Sequence, residues 1–171
     1  MRIVVVSDNH GDRQIIDKLV NKYEGKVDGI FHCGDSEFVA DDPLISKLYI
    51  VAGNMDSATF ADDLVKQIGT QTILLTHGHL QNVNSGLLTL QLFARSKQAN
   101  VVLFGHTHQL GVVQTNGILF LNPGSITYPR GQYAAIGGTY AVLTSDDQMN
   151  HVQYYDRELQ PIDKLQFTFT K

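Results

Sequence analysis

Five short apolar runs in this 171-residue chain each break off into a cluster of glycine with aspartate, asparagine or histidine. Arg2 to Ser7 leads into Asp8-Asn9-His10, Asp28 to Cys33 into Gly34-Asp35, and Leu48 to Ala52 into Gly53-Asn54-Met55-Asp56. Thr72 to Thr76 runs into His77-Gly78-His79, and Val101 to Phe104 into Gly105-His106-Thr107-His108. Runs of this length, rich in β-branched residues and closed by polar turn formers, read as buried strands. In an α/β sheet, groups just past the carboxyl ends of parallel strands converge on one crevice. The pattern therefore predicts one polar site assembled from segments far apart in the chain.

The remaining segments define the frame around that site. Ile15, Ile16, Leu19, Val20 and Tyr23 recur at helical spacing after the first strand. Leu64 to Ile68 and Thr72 to Thr76 predict an antiparallel hairpin turned at Gly69-Thr70, and Val112 to Gln114 pairs with Ile118 to Leu121 around Asn116-Gly117. Asn84 is placed to cap a helix over Leu87, Leu88, Leu90, Leu92 and Phe93, with its leucines turned to the core. A loop rich in glycine and tyrosine, Asn122 to Gly138, precedes three further strands at Tyr140 to Leu143, Val152 to Tyr155 and Leu165 to Phe169. Strands and helices alternate early and strands dominate late. The expected class is a layered α/β sandwich, two sheets face to face with helices outside.

Composition narrows the functional classes. A chain 43% hydrophobic and 18% charged fits one globular domain and excludes disorder. The lone cysteine, Cys33, permits neither an internal disulfide nor a cysteine-rich zinc site; with no apolar leader at the start, this predicts a reducing, cytoplasmic setting. The apolar runs fall far short of the roughly 20 residues needed to cross a bilayer, so no membrane association is expected. Charges sum to 13 − 17 = −4 and no basic, aromatic stripe is visible, which argues against a nucleic-acid partner. No Walker loop, G-x-G-x-x-G or G-x-S-x-G occurs. A cysteine phosphatase loop would need an arginine six residues after Cys33, where Val39 stands.

Each of the five strand ends carries nitrogen or oxygen metal ligands, with glycines that let the backbone turn close to an ion. In an extended segment residues two apart share a side, so Asp8 with His10, and His106 with His108, can each offer two ligands to one pocket. Asp35 suits a bridge between two cations held about 3.5 to 4 Å apart, the arrangement that clamps attacking and leaving oxygens in phosphate-ester hydrolysis.

In order, these segments spell D-x-H, G-D, G-N-x-D, H and G-H-x-H, which resembles the calcineurin-like metallophosphoesterase superfamily. Asn122-Pro123-Gly124-Ser125 and Pro129-Arg130 look like its small bacterial and archaeal phosphodiesterase branch. The resemblance implies a single domain over 1–171, a four-layer α-β-β-α sandwich of two packed mixed sheets. It implies one metal on Asp8, His10, Asp35 and His108 and a second on Asp35, Asn54, His77 and His106. Manganese is the favoured ion of similar proteins, with iron, zinc or nickel chemically open. Two divalent ions against the Asp8 and Asp35 carboxylates leave a local charge of about +2, enough to draw a phosphate to an acidic chain. The implied reaction is attack on a small phosphodiester by a hydroxide bridging the ions.

The substrate side departs from the family. Many members place histidine after the G-N pair, where Met55 stands here. General-acid help is worth about 10² to 10⁴ in rate, so its loss favours good leaving groups unless His79 or His32 substitutes. Asp56 fits the family's acidic position and joins Asp35 and His79 as a candidate catalytic residue. Asn122, Ser125 and Arg130 are candidate phosphate-oxygen donors. Taken singly, His32 reads as a core histidine, His151 as an exposed residue of a polar loop, and Cys33 as buried packing. Two rival functions share the centre: a phosphomonoesterase or protein phosphatase, and a non-catalytic scaffold like the superfamily's retromer subunit. The residues leave oligomeric state open; small members of the family commonly form homo-dimers or homo-tetramers.

Overall fold

The structure is a computed structural model that describes residues 1–57 and 60–171. Two mixed sheets stack face to face. The first, in spatial order, contains β11 (Pro161–Thr170), β10 (Met149–Asp156), β9 (Thr139–Ser145), β1 (Arg2–Val6), β2 (Gly29–His32) and β3 (Tyr49–Ile50). The second runs β4 (Asp63–Ile68), β5 (Gln71–Thr76), β6 (Val101–Leu103), β8 (Ile118–Pro123) and β7 (Leu110–Thr115). The β1–β2–β3 and β5–β6–β8 neighbours are parallel and the rest antiparallel.

Alternation along each strand builds the layers. Ile3 and Val5 face inward to meet Ile73, Leu75, Leu103 and Leu121 of the second sheet. Val4 and Val6 face outward onto α1 (Arg13–Tyr23), whose Ile15, Ile16, Leu19, Val20 and Tyr23 are buried. On the opposite outer face Leu74, Val102 and Phe120 cluster with Leu90 and Ala94 of α2 (Leu88–Ser96). The result is the expected α-β-β-α sandwich. Parallel β1, β2 and β3 direct their carboxyl ends to one edge, as do β5, β6 and β8 in the second sheet.

Three local expectations change. Asn84 does not cap α2: it lies in a 3-10 turn, Val83–Ser85, and the residue preceding the helix, Leu87, makes no side-chain cap. Its amide is engaged elsewhere, with His106. The helix is short and presents only Leu90 and Ala94 fully to the sheet, leaving Leu88 and Leu92 in solvent at 70% and 58% exposure. His151 is exposed as expected but sits within β10, opposite Thr144 and Thr168, because the strand begins two residues earlier at Met149. Among the described residues no helix is long and apolar enough to cross a membrane.

Candidate metal centre

The parallel strand ends bring Asp8, His10, Asp35 and His108 together, each offering a ligand atom within 4.8 Å of the others. His10 Nε2 lies 3.3 Å from His108 Nε2, and His108 Nε2 lies 3.3 Å from Asp8 Oδ1. Asp8 Oδ1 is buried with no hydrogen-bond partner, the His108 contact meeting ion-pair distance but not hydrogen-bond geometry. A buried carboxylate oxygen left unpaired is costly unless a cation completes it.

The opposite ring nitrogens fix what faces this space. His10 Nδ1 meets Glu37 Oε1, His77 Nδ1 meets the Cys33 carbonyl and His108 Nδ1 meets the Tyr128 carbonyl, each at 2.8 Å. Carboxylate and carbonyl oxygens only accept, so each Nδ1 carries a proton, and in the neutral ring Nε2 is the nitrogen that keeps a lone pair. Such a donor set, imidazole and carboxylate without thiolate, suits manganese, iron, zinc or nickel.

Of the second set, Asn54 Oδ1 and Asp35 Oδ2 lie 3.2 Å and 3.5 Å from His77 Nε2. His106 stands beside them, its ring centroid 5.1 Å from that of His77, with Nε2 accepting from Asn84 Nδ2 at 3.0 Å. Asp35 is common to both groups.

The backbone is bent to make this possible. Asp8, His10, Asp35, His106 and His108 all have positive φ, between 44° and 67°. Aspartate and histidine tolerate the left-handed region better than most residues but still adopt it at a cost. Glycine is obligatory at two close approaches: a Cβ on Gly53 would lie 2.0 Å from Asp35 Oδ1, and one on Gly105 would lie 2.0 Å from Ser7 Oγ.

Charge is distributed unevenly. Burial pushes the Asp35 carboxyl up, but His77, the Met55 N–H and His10 outweigh it and bring it down to about 2. Burial likewise opposes charging of His77, yet Asp35 and Asp8 raise its pKa above the ordinary 6.5. His108 is raised by its contact with Asp8. His79 and His106 are lowered, by burial first and by the neighbouring His77 second.

Other residues singled out from the sequence take varied places. His79 lies tilted against His77, the ring centroids 5.2 Å apart, with its Nδ1 buried and unpaired. Asp56 accepts from Ser36 Oγ, Glu37 N and Gly53 N, so it fastens the β2 and β3 loops together. Asn122 is buried, donating to the Gly105 carbonyl and Thr107 Oγ1 while accepting from Gly124 N. Ser125 is fully buried and donates to the Asp8 carbonyl while accepting from Tyr128 N. Both amide and hydroxyl therefore buttress the ligand loops. Arg130 is exposed, tied by its backbone N–H to the His108 carbonyl. Met55 is 57% exposed, and its N–H donates to Asp35 Oδ1. His32 is buried against Asn9 Oδ1, and Cys33 is buried.

Glu37 and Asn84 were not picked out by sequence reasoning as site residues. Glu37 follows Asp35 by two positions, a spacing that could have marked it; its positive φ of 54° turns it back onto His10. Asn84 carried no comparable signal.

A layered sandwich whose parallel strand ends gather this histidine and aspartate set defines a metallophosphoesterase, and the chain belongs to that class: residues 1–148 match the calcineurin-like phosphoesterase superfamily domain. It is similar to a probable metallophosphoesterase of Bacillus subtilis, 36% identical over 167 residues and 97% of each chain. A phosphodiesterase of Methanocaldococcus jannaschii is 28% identical over 144 residues, 72% of this chain and 83% of the relative. Among solved structures, a conserved Streptococcus pneumoniae protein described as a predicted phosphoesterase superposes with a TM-score of 0.96 at 38% identity, covering 99% of this chain and 97% of that one. Vacuolar protein sorting 29 of Cryptosporidium parvum shares the fold, with a TM-score of 0.76 at 22% identity and coverage of 99% and 98%.

Proposed function

We propose that this chain is a phosphodiesterase working with two divalent cations, manganese foremost, on a small phosphodiester. The carrying observation is the buried, unpaired Asp8 Oδ1 set among inward-facing imidazole nitrogens. Asp8, His10, Asp35 and His108 would hold one cation, and Asp35, Asn54, His77 and His106 the other. Bound cations supply Lewis-acid neutralisation of phosphoryl oxygens and lower the pKa of water.

The protein's own groups do the positioning. Glu37, Cys33 and Tyr128 hold three imidazoles in one tautomer, so ligand geometry exists before any ion arrives. Asp35 stays ionised across the neutral range and can serve two cations at once. Met55 has no proton to give. His79, with a depressed pKa, is neutral at pH 7, which suits an N–H contact with a phosphoryl oxygen better than proton transfer. A centre without a strong general acid favours diesters with good leaving groups. Arg130, exposed beside the His108 loop, is the remaining substrate-side cation.

Protein stripped of metal and resupplied with manganese should hydrolyse bis(p-nitrophenyl) phosphate faster than p-nitrophenyl phosphate. Asp35→Asn should lower the diester rate by about 10²-fold or more, since losing even a group that orients a metal ligand costs about 10- to 100-fold. Full activity in that variant would sink the reading, as would a stronger preference for the monoester. Metal content below one ion per chain under saturating manganese would instead favour a non-catalytic scaffold.

A further inference from the structure

The outer face of the second sheet is only partly roofed. α2 covers its β5–β6 side, while between the Val83–Leu87 segment and β7 a cavity of about 470 Å³ stays open. Phe104 and Phe120 line it with Leu87 and Val113, and no charged residue is among those lining it. Strand alternation puts Gly111 and Val113 of β7 on this same face. An ideal Cβ on Gly111 would meet nothing within 4 Å, so a side chain there would occupy space that the glycine leaves open.

Two lining residues connect the cavity to the candidate centre. Thr107 lies between His106 and His108 in the chain, and Asn84 Nδ2 reaches His106 Nε2 at 3.0 Å. A molecule held by its phosphoryl group at the centre thus has an uncharged, largely apolar chamber one side chain away. A cavity of about 150 Å³ suffices for a benzene ring, so this one takes a ring system with room to spare. Its volume lies in the ordinary range for small-molecule sites. Asn84, Thr107 and Gln109 add uncharged hydrogen-bonding groups to the lining.

We propose that this cavity is the subsite for one ester arm of the substrate, an uncharged aryl or other ring-bearing group, with Asn84 at the junction between arm and phosphoryl group. The proposal rests on the phosphoesterase reading for what holds the head, and on the cavity for what holds the arm.

The test is binding, not turnover. Manganese-loaded protein is titrated calorimetrically with methylphosphonate and with benzylphosphonate. Burying the ring should make benzylphosphonate bind at least about tenfold tighter. Gly111→Leu should fill the chamber, reduce that ratio below about twofold and leave methylphosphonate affinity unchanged. Val113→Asn, at a half-exposed strand position, should lower the ratio at least about threefold if the leucine variant fails to fold. Equal binding of the two phosphonates, a ratio unmoved by the folded variants, or no binding of either would overturn the subsite. A benzyl preference in a protein that turns over no ester would leave the subsite standing and refute the hydrolase reading; turnover without the preference would do the reverse.

Discussion

Asp8, His10, Asp35, His106 and His108 each hold left-handed backbone, which costs about 1 to 3 kcal/mol per residue in sparsely populated regions, less for aspartate. Backbone bonds between loops offset that cost: Asp8 N donates to the Gly34 carbonyl and His10 N to the Asp35 carbonyl, both at 3.1 Å. The cradle around Asp35 is correspondingly intolerant of small changes. Gly53→Ala should displace Asp35, lower manganese affinity at least about tenfold and destabilise the fold by about 1 to 3 kcal/mol, read from calorimetric titration and urea midpoints. The ligand-type residues were legible in the sequence because the chemistry restricts them to aspartate, asparagine and histidine next to glycine. Glu37 and Asn84 were not, since their partners His10 and His106 lie 27 and 22 residues away. Asn122 and Ser125 were legible as residues near the site, but their inward orientation is a product of tertiary packing.

Elements with a local signal came through best. α1 announces itself by five core residues at helical spacing; its cap, Asp12, came only with the structure, where the carboxylate accepts from Ile15 N and also pairs with Arg157. The Asn116-Gly117 hairpin forms with both residues at positive φ, 51° and 75°, as a tight primed turn requires. α2 was misjudged at its start and on its face, because its five-apolar pattern spans more than the sheet offers to cover. The Asp12 pair carries a pH prediction. Arg157 lowers the Asp12 pKa below 3.8, so its stabilisation is present above the unfolded pKa and is lost as pH falls through the folded one. Asp12→Asn keeps a capping oxygen but not the charge. Urea midpoints of wild type and variant should therefore differ at pH 7 and draw together only as pH falls below 3.8, and a constant gap would refute the assignment.

At the scale of the whole molecule the layer order was predictable from strand alternation, whereas the sheet order, with β8 between β6 and β7, needed the tertiary structure. Candidate ligands come from both sheets, from the ends of β1, β2 and β3 on one side and of β5 and β6 on the other. Metal bound only to the folded state should raise thermal stability, by about 2.7 kcal/mol at a hundredfold excess over the dissociation constant. Protons compete for the same nitrogens: with the His77 and His108 pKa values raised above 6.5, manganese affinity should fall as pH drops through those raised values. In the metal-free protein the same two pairs act oppositely, stabilising below 6.5 and losing their contribution as pH rises through the raised values. Thermal melts at pH 6 and pH 8.5, with and without manganese, should therefore show a larger metal-induced increase at the higher pH.

The layer between the sheets, from Ile3 and Val5 across to Leu103 and Leu121, is also the gauge that sets how far apart the two halves of the ligand cluster stand. Interior packing transmits volume changes instead of absorbing them. Methylene-scale edits to that slab, remote from every polar atom, would act as a fine adjustment of the grip on any bound cation, and selectivity among metals of different radius would then be a property of the hydrocarbon spacing as much as of the candidate ligands themselves.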